Sequence, residues 1–149
     1  GDAVHEPGNF KVPFGMNQAE LIEAAGGYKV DPEKIISGGP MMGFSMFTVD
    51  VPVTKTSSSI LCFTKDEVAQ YEPTACINCG RCVEVCPSRL IPSRLADYAE
   101  HHDEEAFTKH EGLECMECGS CSYVCPAKRQ LKQAIGSMRK TALANRKKK

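Results

Sequence analysis

Two stretches of the chain, CINCGRCVEVCP (residues 76–87) and CMECGSCSYVCP (residues 115–126), carry the same cysteine spacing 39 positions apart. In each run, two residues separate successive members of the first three cysteines, three more precede the fourth, and a proline follows it. This spacing is typical of bacterial ferredoxins that hold two clusters. The repeat therefore predicts two [4Fe–4S] clusters, with electron transfer as the chemistry they supply.

The division of each run into three cysteines plus one determines which of them we expect to share a cluster. A tight loop directs the first three thiolates of a run toward three corners of a cube, whereas the fourth cysteine points the other way. In two-cluster ferredoxins the fourth cysteine binds the cluster of the other run. The expected ligands are Cys76, Cys79, Cys82 and Cys125 for one cluster, and Cys115, Cys118, Cys121 and Cys86 for the other.

The residues between these cysteines fit the same interpretation. Gly80 and Gly119 permit a positive φ, which brings backbone N–H groups near the sulfurs. Pro87 and Pro126 are expected to lie in the first turn of the helix that follows each run. Apolar residues within the runs are expected to exclude water from the clusters: Ile77, Val83, Val85, Met116, Tyr123 and Val124.

Zinc and disulfide bonds are the alternatives for the same cysteines. Four-cysteine zinc sites usually take two CxxC pairs, which would leave half of each run without a role. Disulfide scaffolds are typical of small secreted domains. We find no export signal, and about half of the chain precedes the first run. The duplicated spacing favours iron and sulfur over both alternatives.

The distribution of cysteines predicts two domains. Residues 1–68 contain one of the nine cysteines, residues 69–75 form a polar linker, and residues 76–149 contain the other eight and end in a basic tail. In the first domain, GNFKVPFG (residues 8–15) predicts a short strand bounded by Gly and Pro. A helix capped by Asn17 and then β-branched strands follow. This order indicates a small α+β domain.

The second domain is predicted to be mainly helical. One helix begins at Pro92, a second covers residues 104–109 with Asp103 as its cap, and an amphipathic helix follows the second run. Small ferredoxins usually have strands between their cysteine runs. The sequence therefore predicts the helical variety of that fold.

Composition is that of a globular protein, with 42% hydrophobic and 25% charged residues. No apolar run approaches the roughly 20 residues that cross a bilayer. A net charge of −1 gives no indication of a nucleic-acid partner. Because the chain begins GDAVHEPGNF without a methionine, we expect it to be a piece of a longer protein.

Four further features have simpler interpretations. Cys62 is expected to be a buried structural thiol. We expect His101, His102 and His110 to lie on a solvated helix face, and the RKKK terminus to be solvated as well. SGGPMMG (residues 37–43) lacks the pattern of a nucleotide-binding loop, so it predicts a tight turn whose two methionines pack against a neighbouring domain.

Taken together, these residues resemble the C subunit of the Rnf complex, the membrane-bound ion-translocating ferredoxin:NAD+ oxidoreductase. The resemblance runs through the whole chain and includes LIEAAGGY (residues 21–28), KIISGGPMMGF (residues 34–44), DVPVTK (residues 50–55) and both cysteine runs. It implies a soluble ligand-binding β-grasp (SLBB) domain followed by a helical two-[4Fe–4S] ferredoxin-type domain.

The resemblance also implies a role and a location. Such a protein would sit peripherally on the cytoplasmic face of the cell membrane, bound to the other Rnf subunits, with a ferredoxin or ferredoxin-like subunit as a further partner. FMN and the NAD site would belong to a preceding domain that is missing here. We therefore expect no catalytic residue in this segment, which would carry electrons only.

Two other functions stay open at this point. The cobalamin reductase of propanediol-using microcompartments resembles the same Rnf protein and would deliver the electrons to a corrin cofactor. Alternatively, the SLBB domain could bind a soluble ligand while the clusters serve only as structural supports. Two adjacent clusters exceed what a structural support requires, so electron transfer is favoured.

Overall fold

The computed structural model describes residues 1–147, and the chain forms two compact units, Gly1–Gln70 and Tyr71–Lys149. Lys148 and Lys149, the last residues of the predicted basic tail, lie outside the described residues. The predicted α+β class is confirmed, since a small antiparallel sheet is followed by a mainly helical region. No helix between residues 1 and 147 is both long and apolar enough to span a membrane.

The first unit begins with a short helix, α1 (Gln18–Ala24), that has the predicted cap. The side chain of Asn17 accepts a hydrogen bond of 2.9 Å from the backbone N–H of Ala19. Gly26 and Gly27 follow the helix with φ of 81° and 73°, a conformation that side chains with a Cβ rarely adopt. Capping and termination are therefore decided by residues next to one another in the sequence.

Three strands form the sheet of the first unit: β1 (Lys34–Ser37), β2 (Phe44–Met46) and β3 (Ile60–Phe63). Strand β1 lies in the centre and pairs antiparallel with both neighbours, so that Ile35 faces Met46 on one side and Cys62 on the other. The predicted strand at residues 8–15 is wrong. That segment belongs to no strand ladder of the sheet, and it lies largely exposed with Pro13 lacking an N–H to donate.

The turn between β1 and β2 has the tight geometry predicted for residues 37–43. Gly38 has a φ of 97°, and the N–H of Gly43 donates to the carbonyl of Gly39 at 2.7 Å. A Cβ at Gly43 would lie 2.5 Å from that carbonyl oxygen, so a larger residue cannot fit there. Met41 and Met42 are exposed, and their packing against another domain stays a prediction.

The buried thiol of Cys62 confirms one prediction and leads to another. Only 1% of Cys62 is exposed, and burial raises the pKa of its thiol above the usual value. Little thiolate is therefore present at about pH 8, and the thiolate is the reactive form. We expect Cys62 to resist alkylation in the folded protein and to react fully after denaturation, as mass spectrometry can measure. Rapid labelling of Cys62 in the folded protein would contradict this buried placement.

The second unit is built on three longer helices, α3 (Pro92–Glu100), α4 (Glu104–Lys109) and α6 (Leu131–Arg146). The predicted cap of α4 is confirmed, because Asp103 accepts a 2.9 Å hydrogen bond from the N–H of Ala106. Helix α6 packs against α3, and the core between the helices contains Leu95, Phe107, Leu131 and Ile135.

Each cysteine run contains a helix of a single turn, α2 (Arg81–Glu84) or α5 (Ser120–Tyr123), but the prolines of the runs begin no helix. Pro87 and Pro126 lie in turns, several residues before α3 and α6 begin, which corrects the prediction. Arg89 and Lys128 have φ of 53° and 54°, a left-handed conformation that no residue within an α-helix adopts. These two residues delay the start of each following helix.

Candidate iron–sulfur site

The loops that carry the two cysteine runs have matching backbone conformations. Gly80 and Gly119 have φ of 79° and 85°, as predicted, and each immediately precedes its one-turn helix. Asn78 and Glu117, which occupy equivalent positions, both have a φ of 55°. The sequence repeat is therefore also a structural repeat.

Two cavities bring together the eight cysteines of the runs. We name the cavity lined by Cys76, Cys79, Cys82 and Cys125 the first cavity, and the cavity lined by Cys115, Cys118, Cys121 and Cys86 the second cavity. Each cavity thus takes three cysteines from one run and the fourth from the other. The ninth cysteine, Cys62, belongs to the first unit and lines neither cavity.

The donors of each cavity suit an iron–sulfur cluster. Each cavity offers four thiols, the ligand set of a [4Fe–4S] cluster. Within residues 1–147, no three His, Cys, Asp or Glu side chains are placed to hold one metal ion together. The four thiols of each cavity therefore fit an iron–sulfur cluster that both cysteine runs share.

The thiols of the second cavity differ in their electrostatic environments. Burial raises the pKa of Cys121 to about 11 and also raises the pKa of Cys115. Interaction with Ser120, whose hydroxyl lies 3.5 Å from Sγ of Cys118, lowers the pKa of Cys118. Metals bind the thiolate form, so iron must displace protons from the two buried thiols.

Two backbone donors point at sulfurs of the second cavity. The N–H of Leu90 donates to Sγ of Cys86 at 3.3 Å, and the N–H of Glu117 donates to Sγ of Cys115 at 3.4 Å. Hydrogen bonds to sulfur stabilise the more reduced state of a cluster and so raise its potential. The expectation of N–H groups near the sulfurs is thus met, although the donors are not the glycines.

The apolar residues within the runs do not shield the cavities as predicted. Ile77, Met116 and Tyr123 are 65%, 56% and 79% exposed, and Val83 and Val85 are exposed as well. Only Val124 is half-buried. Because α2 and α5 are single turns at the surface of the unit, most of these side chains face outward. Of these six residues, Ile77 lines the first cavity and Met116 the second, and residues beyond the runs, among them Leu90 and Leu131, complete the apolar walls.

Several residues that line the cavities were not among the predicted site residues. Ser93 and Arg129 line the first cavity, and Lys132 lines the second. The repeat contained a signal for them, since Ser93 and Lys132 are also 39 positions apart, beyond the fourth cysteine of each run. The repeat therefore extends farther than its cysteines.

The histidines take no part in either cavity. His101, His102 and His110 are all exposed, as predicted. Nδ1 of His101 donates to the carbonyl of Asp97 at 2.7 Å, and Nδ1 of His110 donates to the carbonyl of Ala106 at 2.8 Å. These contacts lie within the helices that carry the rings, which is a structural arrangement at helix ends.

Comparison with known proteins identifies both units. Residues 75–129 match the family model of the 4Fe-4S dicluster domain, and residues 1–45 match that of the SLBB domain. The C subunit of the Na+-translocating ferredoxin:NAD+ oxidoreductase complex of Acetobacterium woodii is 43% identical over 148 residues, which is 99% of this chain. The chain belongs to the Rnf C-subunit family.

Two further members of the Rnf C-subunit family match shorter parts of the chain. The C subunit of the proton-translocating ferredoxin:NAD+ oxidoreductase complex of Clostridium ljungdahlii is 47% identical over 96 residues, 64% of this chain. The C subunit of the ion-translocating oxidoreductase complex of Methanosarcina acetivorans is 44% identical over 98 residues, 66% of this chain. The alignments cover 33%, 21% and 22% of these three relatives, so the chain spans about a third of the Acetobacterium protein.

Within the Rnf C-subunit family, the predicted order of domains is confirmed. An SLBB domain with its small sheet precedes a mainly helical region that contains the dicluster domain. Both cysteine runs lie inside the matched dicluster segment. The second unit of this Rnf C-subunit segment is thus an iron–sulfur domain.

Proposed function

We propose that this segment conducts electrons through two [4Fe–4S] clusters as part of an ion-translocating ferredoxin:NAD+ oxidoreductase complex. The observation that carries the proposal is the composition of the two cavities, each of which has four thiols drawn from both cysteine runs. We assign one cluster to the thiols of the first cavity and the other to those of the second cavity. Four thiolates at each site complete the ligand set of a [4Fe–4S] cluster.

The protein contributes position and environment to this function. A [4Fe–4S] cluster supplies reversible one-electron chemistry when it is bound. Cys86 and Cys125 each reach across to the cavity of the other run, which holds the two sites next to each other in one helical unit. The N–H groups of Leu90 and Glu117 stabilise negative charge on the sulfurs that they contact. The segment thereby acts as a conductor with two fixed sites.

The names of the relatives indicate the setting that we propose for the whole protein. They are subunits of ferredoxin:NAD+ oxidoreductase complexes, and one is named for Na+ and another for protons. We place this segment on the cytoplasmic face of the cell membrane, attached through other subunits of the complex. A ferredoxin or ferredoxin-like subunit is the partner at one end, and a domain carrying FMN and the NAD site, outside this segment, is the partner at the other.

Anaerobic reconstitution of the chain is expected to incorporate about eight iron and eight sulfide, because two cubane clusters require them. The product should show a broad charge-transfer absorption that dithionite bleaches, together with an EPR signal in the reduced state. Iron and sulfide analysis, absorption and EPR of one preparation provide the measurement.

Three outcomes would contradict the proposal. Saturation at about four iron would leave one cavity without its cluster. Stoichiometric zinc without charge-transfer absorption would restore the zinc alternative. Stoichiometric FMN in the purified chain would contradict the placement of flavin outside the segment. A Cys62→Ser variant serves as the control and should incorporate as much iron as the native chain, since Cys62 lines neither cavity.

A further inference from the structure

The two cavities have equivalent walls that differ in charge. Every residue that lines the second cavity lies 39 positions from one that lines the first. The cysteines, one glycine and one proline are the same in both. The differences that involve charge are Asn78 against Glu117, Arg129 against Leu90, and Ser93 against Lys132. Two sites with the same ligands therefore have different electrostatic surroundings.

At the first cavity, the positive charge of Arg129 is outweighed by the two carboxylates that pair with it. Arg129 is the charged residue of the wall, and its side chain is largely buried. Its Nη2 lies 2.8 Å from Oδ1 of Asp97 and 2.8 Å from Oε2 of Glu100. One guanidinium thus faces two carboxylates, and the group carries one net negative charge.

The charges at the second cavity have the opposite balance. Glu117 lies 3.3 Å from Nη1 of Arg139, so its carboxylate is already paired. Lys132 places a positive charge in the wall itself and forms no ion pair within 4.0 Å among the residues that the structure describes. The backbone N–H of Lys132 donates to Oγ of Ser122 at 2.8 Å, which anchors the first turn of α6 at this site. Glu117, Arg139 and Lys132 together carry one net positive charge.

Hydrogen bonds to sulfur differ in the same direction. The second cavity has the two N–H···S bonds from Leu90 and Glu117. Over residues 1–147, no backbone N–H donates to a sulfur of the first cavity, where the thiol of Cys76 contacts Oδ1 of Asn78 at 3.7 Å. Charge and hydrogen bonding therefore favour added negative charge at the second cavity.

We infer that the cluster of the second cavity has the higher reduction potential of the two and that the ammonium group of Lys132 is the main cause of the difference. The inference rests on the proposed function. A cluster that accepts one electron from an external reductant gains one negative charge, and no bond to the protein is made or broken. Nearby positive charge and N–H donors stabilise that state. An electron on the segment accordingly resides on the second cluster first, and Lys132 is a residue that sets potential rather than a catalytic one.

The repeat supplies a reciprocal test. Lys132→Ser gives the second cavity the residue of the first, and Ser93→Lys makes the opposite change. EPR-monitored titration of the reconstituted chain should show that Lys132→Ser lowers the higher midpoint potential and that Ser93→Lys raises the lower one. We expect the ratio of reduced to oxidised cluster at the native midpoint to change by about tenfold in each case, which is ~59 mV for a one-electron couple.

Lys132→Arg is the matched control, because it keeps the charge and should leave both potentials near their native values. Iron and sulfide content of each variant establishes that both clusters are present. If Ser93→Lys fails to assemble, the comparison of Lys132→Ser with Lys132→Arg still decides the inference. Unchanged potentials in Lys132→Ser, or a shift of the lower one, would overturn the inference while leaving the proposed function intact. A native chain without two clusters would overturn both.

Discussion

Replacing Cys86 with serine is expected to remove the cluster of the other run and to leave the cluster of its own run in place. Cys86 lines the second cavity with Cys115, Cys118 and Cys121, whereas Cys76, Cys79 and Cys82 line the first cavity with Cys125. The iron content should fall from about eight to about four per chain, because one cubane loses a ligand. The direction of the effect distinguishes ligation across the runs from ligation within each run.

Thiol footprinting shows which cluster is lost. In the Cys86→Ser protein, an alkylating reagent should modify Cys115, Cys118 and Cys121, while Cys76, Cys79 and Cys82 stay protected by their cluster. Mass spectrometry of the digested protein measures the extent of alkylation of both sets of cysteines in one experiment. The matched control is Cys125→Ser, which should produce the reverse pattern. Protection of the second run together with modification of the first in Cys86→Ser would show that each run completes its own cluster.

The features of the site that followed from the sequence are those set by neighbouring residues. Cysteine spacing determines which thiols a loop can present, and the positive φ of Gly80 and Gly119 follows from the missing Cβ. The cap of α4 likewise depends on Asp103 and a backbone N–H three residues later. Such interactions act within a few residues, so an isolated sequence is enough to predict them.

Features that depend on distant parts of the chain were predicted less well. Tyr123 and Ile77 were expected to shield the clusters from water, but both side chains are exposed. Their exposure depends on which distant elements pack beside the loops, and the local sequence does not determine that packing. The ion pairs of Arg129 join residues about thirty positions apart, and no local pattern indicates them. The helix after the second run begins at Leu131 because Lys128 takes a left-handed conformation that its residue type does not predict.

In the first unit, tertiary packing also decided which side of α1 is buried. Leu21, Ile22, Ala24 and Ala25 are all apolar, but only Ile22 and Ala25 are buried, whereas Leu21 is half-buried and Ala24 is exposed. A helix of seven residues offers more than one apolar stripe. The buried stripe is the one that packs with Ala3, Val4 and Cys62, contacts that span much of the unit.

Truncating Phe107 to alanine is expected to destabilise the second unit by about 3–5 kcal/mol, the range for removing a large aromatic side chain from a core. Phe107 is 0% exposed and belongs to the core of α3 and α6, on which both cavities depend. The ring also occupies the space left free by Gly112, where a Cβ would lie 2.4 Å from a ring atom. Close packing of this kind leaves little room for the core to collapse around the cavity that alanine creates.

Denaturant unfolding, followed by helical circular dichroism and by cluster absorption, measures the effect on Phe107→Ala. Because cluster ligands come from loops that α3 and α6 support, we expect both signals to be lost at a lower denaturant concentration than in the native protein. Phe47→Ala is the matched control, since it removes the same atoms from a fully exposed position and should change stability by less than about 0.5 kcal/mol. Loss of helical signal in Phe107→Ala with full retention of cluster absorption would mean that the ligand loops hold their clusters without the helical core.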